Sequence, residues 1–388
     1  LTVQDLRWGA SVDDLDLAEL RERYRCLDHR IDLWIRDERH SQYNGAITST
    51  RLGQLHATME LDLTATPYNC VNLYDRQQVV ARTLLWGLEN RQHTRLPEIG
   101  IDALAVAMEK LSPRMAELYA TAEGYDPRKL FQRENGGFVL EAELVELARR
   151  FYHDRISRQK NPLSITNDTD LSSAAKRCAL WVLPAGANGD GAEDYIPDLA
   201  AMLNNRVGQD LLWTDSYTLE RTCPANTSIG SHVANLVEQH GRVVILTCGK
   251  FLTGTDIPVL GHVVLFDRMN SVANFEQLMG RMIREWPSKT RTKLYAMAPG
   301  SELRVVMGRM ALMSGDLSGG EPQRILDCVP LTEYGSNQWQ VLSAEEILAS
   351  TQAWFREQVR RLIPGISVSR LLMDMDLAAW RQIDISSV

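Results

Sequence analysis

The sequence predicts an α/β fold built on a parallel β-sheet, and three observations lead to this prediction. Short apolar, β-branched runs alternate with segments of helical periodicity between residues 166 and 300. Loops that contain Gly and Pro separate these segments. The 388 residues, of which 44% are hydrophobic and 24% charged, have the composition of a globular protein that is long enough for two or three domains.

Residues 1–75 contain two predicted strands that each lead into a polar motif. A short helix is predicted over Leu15–Tyr24, and a strand over Ile31–Ile35 leads into the sequence Asp-Glu-Arg-His. A second strand-like run, Leu61–Leu63, leads into Thr-Ala-Thr-Pro. We interpret this region as the end of a domain.

Residues 76–165 show mostly helical patterns. Amphipathic helices are predicted over Asp102–Leu118 and Val139–Tyr152, and we interpret the region as an insertion between domains. A basic cluster ends it, formed by Arg149, Arg150, Arg155, Arg158 and Lys160. A solvated helix face is favoured over phosphate contact as the explanation of this cluster.

Residues 166–300 supply the alternation of strands and helices. Strands are predicted over Ala179–Leu183, Leu211–Thr214, Val243–Leu246, His262–Phe266 and Leu294–Met297. Helices are predicted over Ile196–Leu203 and His232–Gln239, and a third follows a capping Asn270 or Ser271. This third helix has an apolar face formed by Phe275, Leu278, Met279 and Met282. The turn Gly186–Gly191 contains no Lys and is interpreted as an ordinary turn. Lys289, Arg291 and Lys293 are interpreted as solvated surface charges.

Residues 301–388 are predicted to form a helical tail. The sequence Ser-Ala-Glu-Glu from Ser343 is a capping box, and the helix that it begins ends near Leu362. A second helix is predicted over Leu371–Trp380. The tail contains no Asp/Glu-x-Lys triplet of the kind found in metal-dependent nucleases.

Three polar residues share one face of the helix that follows Asn270. Gln277, Arg281 and Arg284 are spaced by four and three residues, so they lie on the same side of a helix. An amide and two guanidinium groups make a poor core face. The planar guanidinium binds phosphate oxygens in a bidentate manner, so this face predicts an anionic ligand.

Four motifs in order carry a resemblance to a known family. They are Asp37-Glu38-Arg39-His40, then Leu63-Thr64-Ala65-Thr66-Pro67, then Gly254-Thr255-Asp256-Ile257-Pro258, and last Gln277-x-x-Gly280-Arg281-x-x-Arg284. Together they resemble motifs II, III, V and VI of superfamily 2 DExH-type helicases and translocases, of the restriction-type or phage kind. The resemblance extends from about residue 30 to residue 300.

The resemblance implies RecA-like helicase lobes. Residues 1–75 would be the last part of lobe 1, which holds motifs II and III. Residues 76–165 would be the helical insertion, residues 166–300 a complete lobe 2, and residues 301–388 a helical C-terminal tail. ATP and Mg²⁺ would bind between the lobes, and nucleic acid would cross both lobes, mainly through phosphate contacts.

The family also implies a role for each motif residue. Asp37 would hold Mg²⁺ through water, Glu38 would polarise the attacking water, and His40 would link the nucleotide site to the nucleic acid. Thr64 and Thr66 would couple the lobes. These roles fit phosphoryl transfer, which depends on charge neutralisation and a positioned water.

The lobe 2 motifs would complete the same site. Gly254 would let the backbone approach a ligand closely, and Asp256 would hold the ribose or relay between sites. Gln277 would help to position the nucleotide. Arg281 and Arg284 would act as arginine fingers that stabilise charge on the transferred phosphoryl group.

No phosphate-binding loop of the form Gly-x-x-x-x-Gly-Lys-Ser/Thr is present in the sequence. The family places this loop upstream of motif II, and only 36 residues precede Asp37. We therefore expect that the first lobe is truncated and that this chain alone is inactive. The alternative, supported by Arg36 and Arg39 in and beside motif II, is a helicase-like nucleic-acid-binding or scaffolding module without hydrolysis.

Net charge and cysteine content limit the binding partners and the cellular compartment that fit the sequence. The net charge of −8 excludes a protein that is basic throughout, so nucleic acid must bind a local patch or groove. DNA is favoured over RNA, and restriction-modification or phage subunits are expected as partners. The six cysteines form no Cys-x-x-Cys pair, which favours free thiols in the cytoplasm. No apolar run approaches the roughly 18 residues of a membrane span.

Overall fold

The computed structural model describes residues 31–36, 57–62, 84–120, 125–154, 156–185, 195–208, 210–249, 251, 255–268, 271–318 and 322–362. Contacts divide the chain into two compact units, which meet in sequence between Thr83 and Leu84. The domain limits implied by the resemblance stay a prediction.

The first unit contains two parallel strands. Strand β1 (Ile31–Arg36) pairs with β2 (Ala57–Asp62), and the last residues of the two strands are opposite each other. Strand β1 matches the predicted run Ile31–Ile35, whereas β2 begins four residues before the predicted run Leu61–Leu63. In the sequence, the Asp-Glu-Arg-His motif directly follows β1, and the Thr-Ala-Thr-Pro motif follows β2 after one residue.

The second unit is an eight-stranded, mostly parallel sheet covered by helices, which confirms the predicted α/β class. Its strands are β3 (Glu98–Ala103), β6 (Cys178–Val182), β7 (Leu212–Asp215), β8 (Val243–Thr247), β9 (His262–Leu265), β10 (Arg291–Ala296), β11 (Leu331–Gly335) and β12 (Gln338–Val341). They lie in the order β12-β11-β3-β10-β9-β6-β8-β7, with β12 antiparallel to β11 and every other pair parallel.

The helices of this unit follow the strands closely in sequence. They are α1 (Leu84–Glu89), α2 (Arg91–Thr94), α3 (Ala105–Glu109), α4 (Pro113–Tyr119), α5 (Glu141–Tyr152), α6 (Ile196–Val207), α7 (Ser216–Thr222), α8 (Ile229–His240), α9 (Val272–Met282), α10 (Gly300–Ser318), α11 (Pro322–Cys328) and α12 (Ala344–Leu362). A 3₁₀ helix (Pro127–Phe131) and a small hairpin of β4 (Arg133–Glu134) and β5 (Gly137–Phe138) precede α5.

The central strands β6, β8 and β9 are buried at every residue, as expected for a parallel sheet with both faces covered. One face packs an aromatic cluster beneath α5 and α6, in which the rings of Trp181 and Trp213 lie edge to face at 4.8 Å. Residues that alternate with the cluster point to the other face, where α8 contacts β8 and α9 contacts β10.

Two regions predicted to be helical contain strands. The helix predicted from Asp102 is wrong at its start, because Asp102 lies inside β3 and the chain becomes helical only at α3 and α4. The tail predicted over residues 301–388 adds β11 and β12 to the sheet, while its capping box is confirmed. Ser343 accepts a hydrogen bond from the amide of Glu346, whose carboxylate accepts one from the amide of Ser343.

A buried ion network explains how Asp102 is tolerated inside a strand. Its carboxylate lies 2.8 Å from Nη2 of Arg158 and 3.0 Å from Nζ of Lys293. Both cations also contact Asp168, which accepts a hydrogen bond from the hydroxyl of Tyr295. Burial raises the pKa of Asp102, whereas at Asp168 the two cations overcome the effect of burial and lower the pKa.

This network overturns the surface interpretation of two basic residues. Arg158 was grouped with a solvated basic cluster, and Lys293 was expected to be a solvated surface charge. Both side chains are at most 13% exposed. The guanidinium of Arg158 also lies 4.2 Å from the ring centroid of Trp339 on β12. Residues 158–170 are therefore tied to three strands of the sheet.

We predict that Arg158→Met lowers the free energy of unfolding by about 3–5 kcal/mol, because it leaves buried carboxylates with one cation fewer. Urea unfolding measures the loss. The matched control is Arg150→Met, which removes an exposed pair with Glu146 at 2.8 Å and is expected to cost about 0.5 kcal/mol or less. Equal losses in the two variants would contradict the prediction.

A second buried polar group lies at the first residue of β9. His262 is fully buried, with Nδ1 2.8 Å from the carbonyl of Ala175 and Nε2 3.2 Å from the hydroxyl of Tyr152. The indole of Trp181 donates to the same hydroxyl at 3.0 Å. The imidazole is therefore neutral, with Nδ1–H donating and Nε2 accepting. Burial lowers its pKa to about 4.

We predict that His262 makes the protein sensitive to acid. The unfolded chain takes up a proton on this side chain below about pH 6.5, whereas the folded chain does so only near pH 4. The free energy of unfolding should fall by up to roughly 1.4 kcal/mol per pH unit across this window from this group. Urea unfolding at pH 7 and pH 5 should show a smaller fall in His262→Gln, and an identical fall would refute the assignment.

Candidate functional site

Helix α9 carries the polar face expected to bind an anion. The hydroxyl of Ser271 caps it by accepting a hydrogen bond from the amide of Asn274 at 3.3 Å, so Ser271 rather than Asn270 is the cap. The apolar face is buried, as predicted, at Phe275, Leu278, Met279 and Met282. Burial of this stripe fixes the rotation of the helix and leaves the other side for polar residues.

The predicted polar residues lie along α9 and just beyond it. Gln277 and Arg281 are helical and half-buried, and Arg284 is exposed. The helix ends at Met282, so Arg284 lies past its C-terminus rather than on its face. Its guanidinium is therefore carried by the turn that leads to β10, and its position depends on that turn.

Arg284 meets another predicted site residue. Its Nε lies 3.3 Å from Oδ1 of Asp256, and the two side chains are 53% and 60% exposed. The contact joins the Gly-Thr-Asp-Ile-Pro segment to the end of the arginine helix. A pair this exposed stabilises a fold by about 0–1 kcal/mol, so other contacts must hold the two segments together.

The first turn of α8 supports the loop that contains Asp256. A Cβ placed on Gly230 would lie 2.5 Å from the carbonyl oxygen of Asp256 and 3.1 Å from Cδ of Pro258. The loop backbone therefore lies directly against the helix, and only glycine allows this approach. Ser228 caps α8 by accepting a hydrogen bond from the amide of Ser231 at 3.1 Å.

Lys289 also contacts this loop. Its Nζ donates to the carbonyl oxygens of Pro258 at 2.5 Å and Leu260 at 3.0 Å. The sequence led us to expect a solvated surface charge here, and this expectation is wrong, because the residue is 5% exposed. Its bonds go to backbone carbonyls, which a pattern of side chains does not reveal.

The other predicted site residues lie outside the described residues. They are Asp37, Glu38, His40, Thr64, Thr66 and Gly254. The proposed Mg²⁺ site depends on Asp37 and Glu38, so the described residues do not test whether Mg²⁺ fits there. Across the described part of the chain, no group of three His, Cys, Asp or Glu side chains is arranged to hold a metal ion. For ATP, the arginines and amide of the α9 region suit a phosphate in charge and in hydrogen-bonding capacity.

A cavity of about 660 Å³ lies between the C-terminal ends of α5 and α6. It is lined by basic residues of the predicted cluster, but these already have partners. Arg150 pairs with Glu146, and Arg149 donates to the carbonyl of Arg206 at 3.2 Å. Because carbonyl groups at two helix C-termini also disfavour an anion, we do not assign a phosphate site there.

Comparison with known proteins identifies no family. No family model matches the sequence, and no curated protein matches it. In the described residues, no helix is long and apolar enough to cross a membrane.

Several solved structures are similar at low identity. The chain is similar to an ATP-dependent Type ISP restriction-modification enzyme, LlaBIII bound to DNA, at 12% identity and a TM-score of 0.41, covering 88% of this chain and 24% of that one. It is similar to S. cerevisiae Dbp5 bound to RNA and ADP BeF3 at 13% and 0.40, covering 82% and 63%. It is also similar to Mycobacterium smegmatis helicase Lhr bound to ssDNA and AMP-PNP at 13% and 0.32, covering 88% and 38%. The chain thus spans less than two thirds of each.

We predict opposite effects for two glycine substitutions in helices. Gly230→Ala should lower the free energy of unfolding by about 1–3 kcal/mol, because the added methyl displaces the loop at Asp256. Gly280→Ala in α9 meets no atom within 4 Å and should raise the free energy of unfolding by up to about 1 kcal/mol through helix propensity. Urea unfolding of both variants measures the difference. A stabilised Gly230→Ala protein would show that the loop does not depend on this close approach.

Proposed function

We propose that this chain is part of an ATP-dependent nucleic-acid helicase or translocase motor of superfamily 2. One observation carries the proposal: Arg284 and Asp256, from motifs that resemble motifs VI and V, meet at the exposed end of an arginine-bearing helix. The helix packs on a parallel sheet, as a RecA-like lobe requires. Four motifs in family order support the same assignment.

In the proposed site, the residues near α9 bind and orient a nucleoside triphosphate. Arg281 and Arg284 neutralise charge on the phosphoryl group as it is transferred, which is the effect that an arginine finger has. Asp256 pairs with Arg284 at 3.3 Å, and a phosphate competes with this carboxylate for the same guanidinium. Gln277 orients the nucleotide through its amide.

The resemblance gives the remaining chemistry to the other motif residues. Asp37 would hold Mg²⁺ through water and Glu38 would polarise the attacking water, while the ion would offset charge on the phosphates. His40, Thr64 and Thr66 would couple hydrolysis to nucleic acid, and Gly254 would let the backbone approach the nucleotide. In this proposal DNA is the favoured strand, bound mainly through its phosphates.

The second candidate is a nucleic-acid-binding or scaffolding module that does not hydrolyse ATP. The observation that favours it is the absence of a phosphate-binding loop from the sequence, together with Arg36 and Arg39 in and beside motif II. Such a module would keep the lobes and the arginine helix but would lack the backbone amides and the lysine that cradle the β- and γ-phosphates.

We predict that both arginines of the α9 region are needed for hydrolysis. Arg281→Ala and Arg284→Ala should each lower kcat for DNA-stimulated ATP hydrolysis by about 10³-fold or more, the effect of losing an arginine finger. The assay uses the chain together with any coding sequence that precedes it. The control is Arg291→Ala, which removes an exposed partner of Glu98 and should leave kcat within about twofold of wild type.

The same assay separates the two candidates. Hydrolysis that both arginine variants leave intact would refute the site assignment. Nucleic-acid binding without hydrolysis, in a protein whose upstream sequence also lacks a phosphate loop, would favour the module.

A further inference from the structure

Lys289 is a buried cation whose hydrogen-bond partners are carbonyl groups. Among the described residues, it donates to Pro258 and Leu260 and forms no ion pair within 4.0 Å. A buried ammonium without a carboxylate loses most of its hydration energy, and burial lowers the pKa of Lys289 to about 8. An apolar side chain would fill the same space but would leave the carbonyl groups of Pro258 and Leu260 without these hydrogen bonds.

The turn before Lys289 is also held in an unfavourable conformation. Ser288 has a φ of 63°, in the left-handed region that residues other than glycine seldom adopt. The amide of Lys289 donates to the carbonyl of Trp286 at 3.0 Å and closes the turn. This geometry directs the side chain of Lys289 inward to the loop instead of outward to solvent.

The two segments that Lys289 joins are those that carry the Arg284–Asp256 pair. Lys289 follows Arg284 in one short turn, and Pro258 lies two residues beyond Asp256. Leu260 belongs to the same loop, where its amide donates to the carbonyl of Ile257 at 3.0 Å. The ammonium therefore fixes the distance between the two segments from inside, where water does not screen it.

We propose that Lys289 is a positioning residue that holds the Asp256 loop against the end of the arginine helix. It keeps the side chains of Arg284 and Asp256 at the positions in which they would meet the nucleotide. The role in placing Arg284 and Asp256 rests on the proposed function. The hold of Lys289 on the loop, called the clamp below, does not depend on that function. The exposed Arg284–Asp256 pair is free to exchange with a ligand because the buried contacts of Lys289 hold the segments in place.

Hydrogen exchange on this chain tests the clamp without any ligand. The reporters are the amides of Leu260 and Gly261, which donate to Ile257 and Cys178. Lys289→Met should speed their exchange by at least about tenfold, as expected for the loss of charge-assisted hydrogen bonds. Lys289→Arg, which keeps a cationic donor, should restore protection.

Two controls show whether the effect is local. The amide of Phe266, which donates to Val182 at the end of β9, should exchange at the wild-type rate in every variant. The matched variant is Lys176→Met, which removes a half-buried lysine that donates to the carbonyl of Thr166 at 2.9 Å. It should leave Leu260 and Gly261 protected. Unchanged exchange in Lys289→Met, or faster exchange throughout the sheet, would overturn the clamp.

The pH dependence gives a further readout. The groups whose charges act on the amine are Cys178, Asp256 and Arg284. Burial raises the pKa of Cys178 to about 12, so its thiol stays neutral near pH 8. When the loop opens, the amine of Lys289 meets water and its pKa returns from about 8 to 10.5, so opening takes up a proton between these values. Protection factors at Leu260 and Gly261 should therefore rise as the pH rises above about 8 in the wild type and stay level in Lys289→Arg. A level profile in both proteins would contradict a role for the ammonium charge.

Hydrolysis separates the clamp from the proposed function. In the protein with any upstream sequence included, Lys289→Met should lower kcat by about tenfold or more with KM for ATP within about twofold, because the position of Arg284 matters most in the transition state. Lys289→Arg should recover kcat. Faster loop exchange with an unchanged kcat would overturn the positioning role. A wild-type protein that hydrolyses no ATP would refute the proposed function and leave the clamp to be judged by exchange alone.

Discussion

A carboxylate buried inside a parallel strand is the constraint on which the arrangement of the second unit depends. Asp102 lies in β3, which joins β10 to the β11–β12 end of the sheet. Its charge is tolerated because Arg158 and Lys293 reach it from distant parts of the chain. The same cations bind Asp168 and so hold residues 158–170 over the sheet. These ion pairs thus join neighbouring strands of the sheet to the segment 158–170 that packs on it.

The network also explains which elements the sequence could predict. Strands β6 and β8 were predicted from their apolar runs, and β9 from the apolar residues that follow His262, and all three are buried on both faces. Strand β3 was missed because Gly100 and Asp102 interrupt its apolar residues, and the downstream residues have helical spacing. The partners that neutralise Asp102 lie far away in sequence, so no local pattern identifies it as a strand residue.

The candidate site, too, could be predicted only in part from the sequence. The helix, its apolar face and the side chains of Gln277 and Arg281 followed from spacing and capping. The contact between Arg284 and Asp256 was implied only by the family resemblance, which assigned both residues to one nucleotide site. What holds that contact was not predictable, because Gly230 and Lys289 act on backbone carbonyl oxygens, which every residue has. A lysine in a polar segment therefore resembled a surface charge until the fold placed it beneath the loop.

The proposed mechanism explains why the residues that would bind the ligand differ from the residues that hold the loop in place. Residues that bind a nucleotide and then release it must exchange partners easily, so a strong internal bond to Arg284 would compete with the ligand. An exposed pair such as Arg284–Asp256 is weak enough to exchange, but for the same reason it cannot position its own members. Precision must then come from groups that never meet the ligand, and buried hydrogen bonds supply it because water neither screens nor replaces them. The backbone clamp beneath the loop and the close approach at Gly230 have that character.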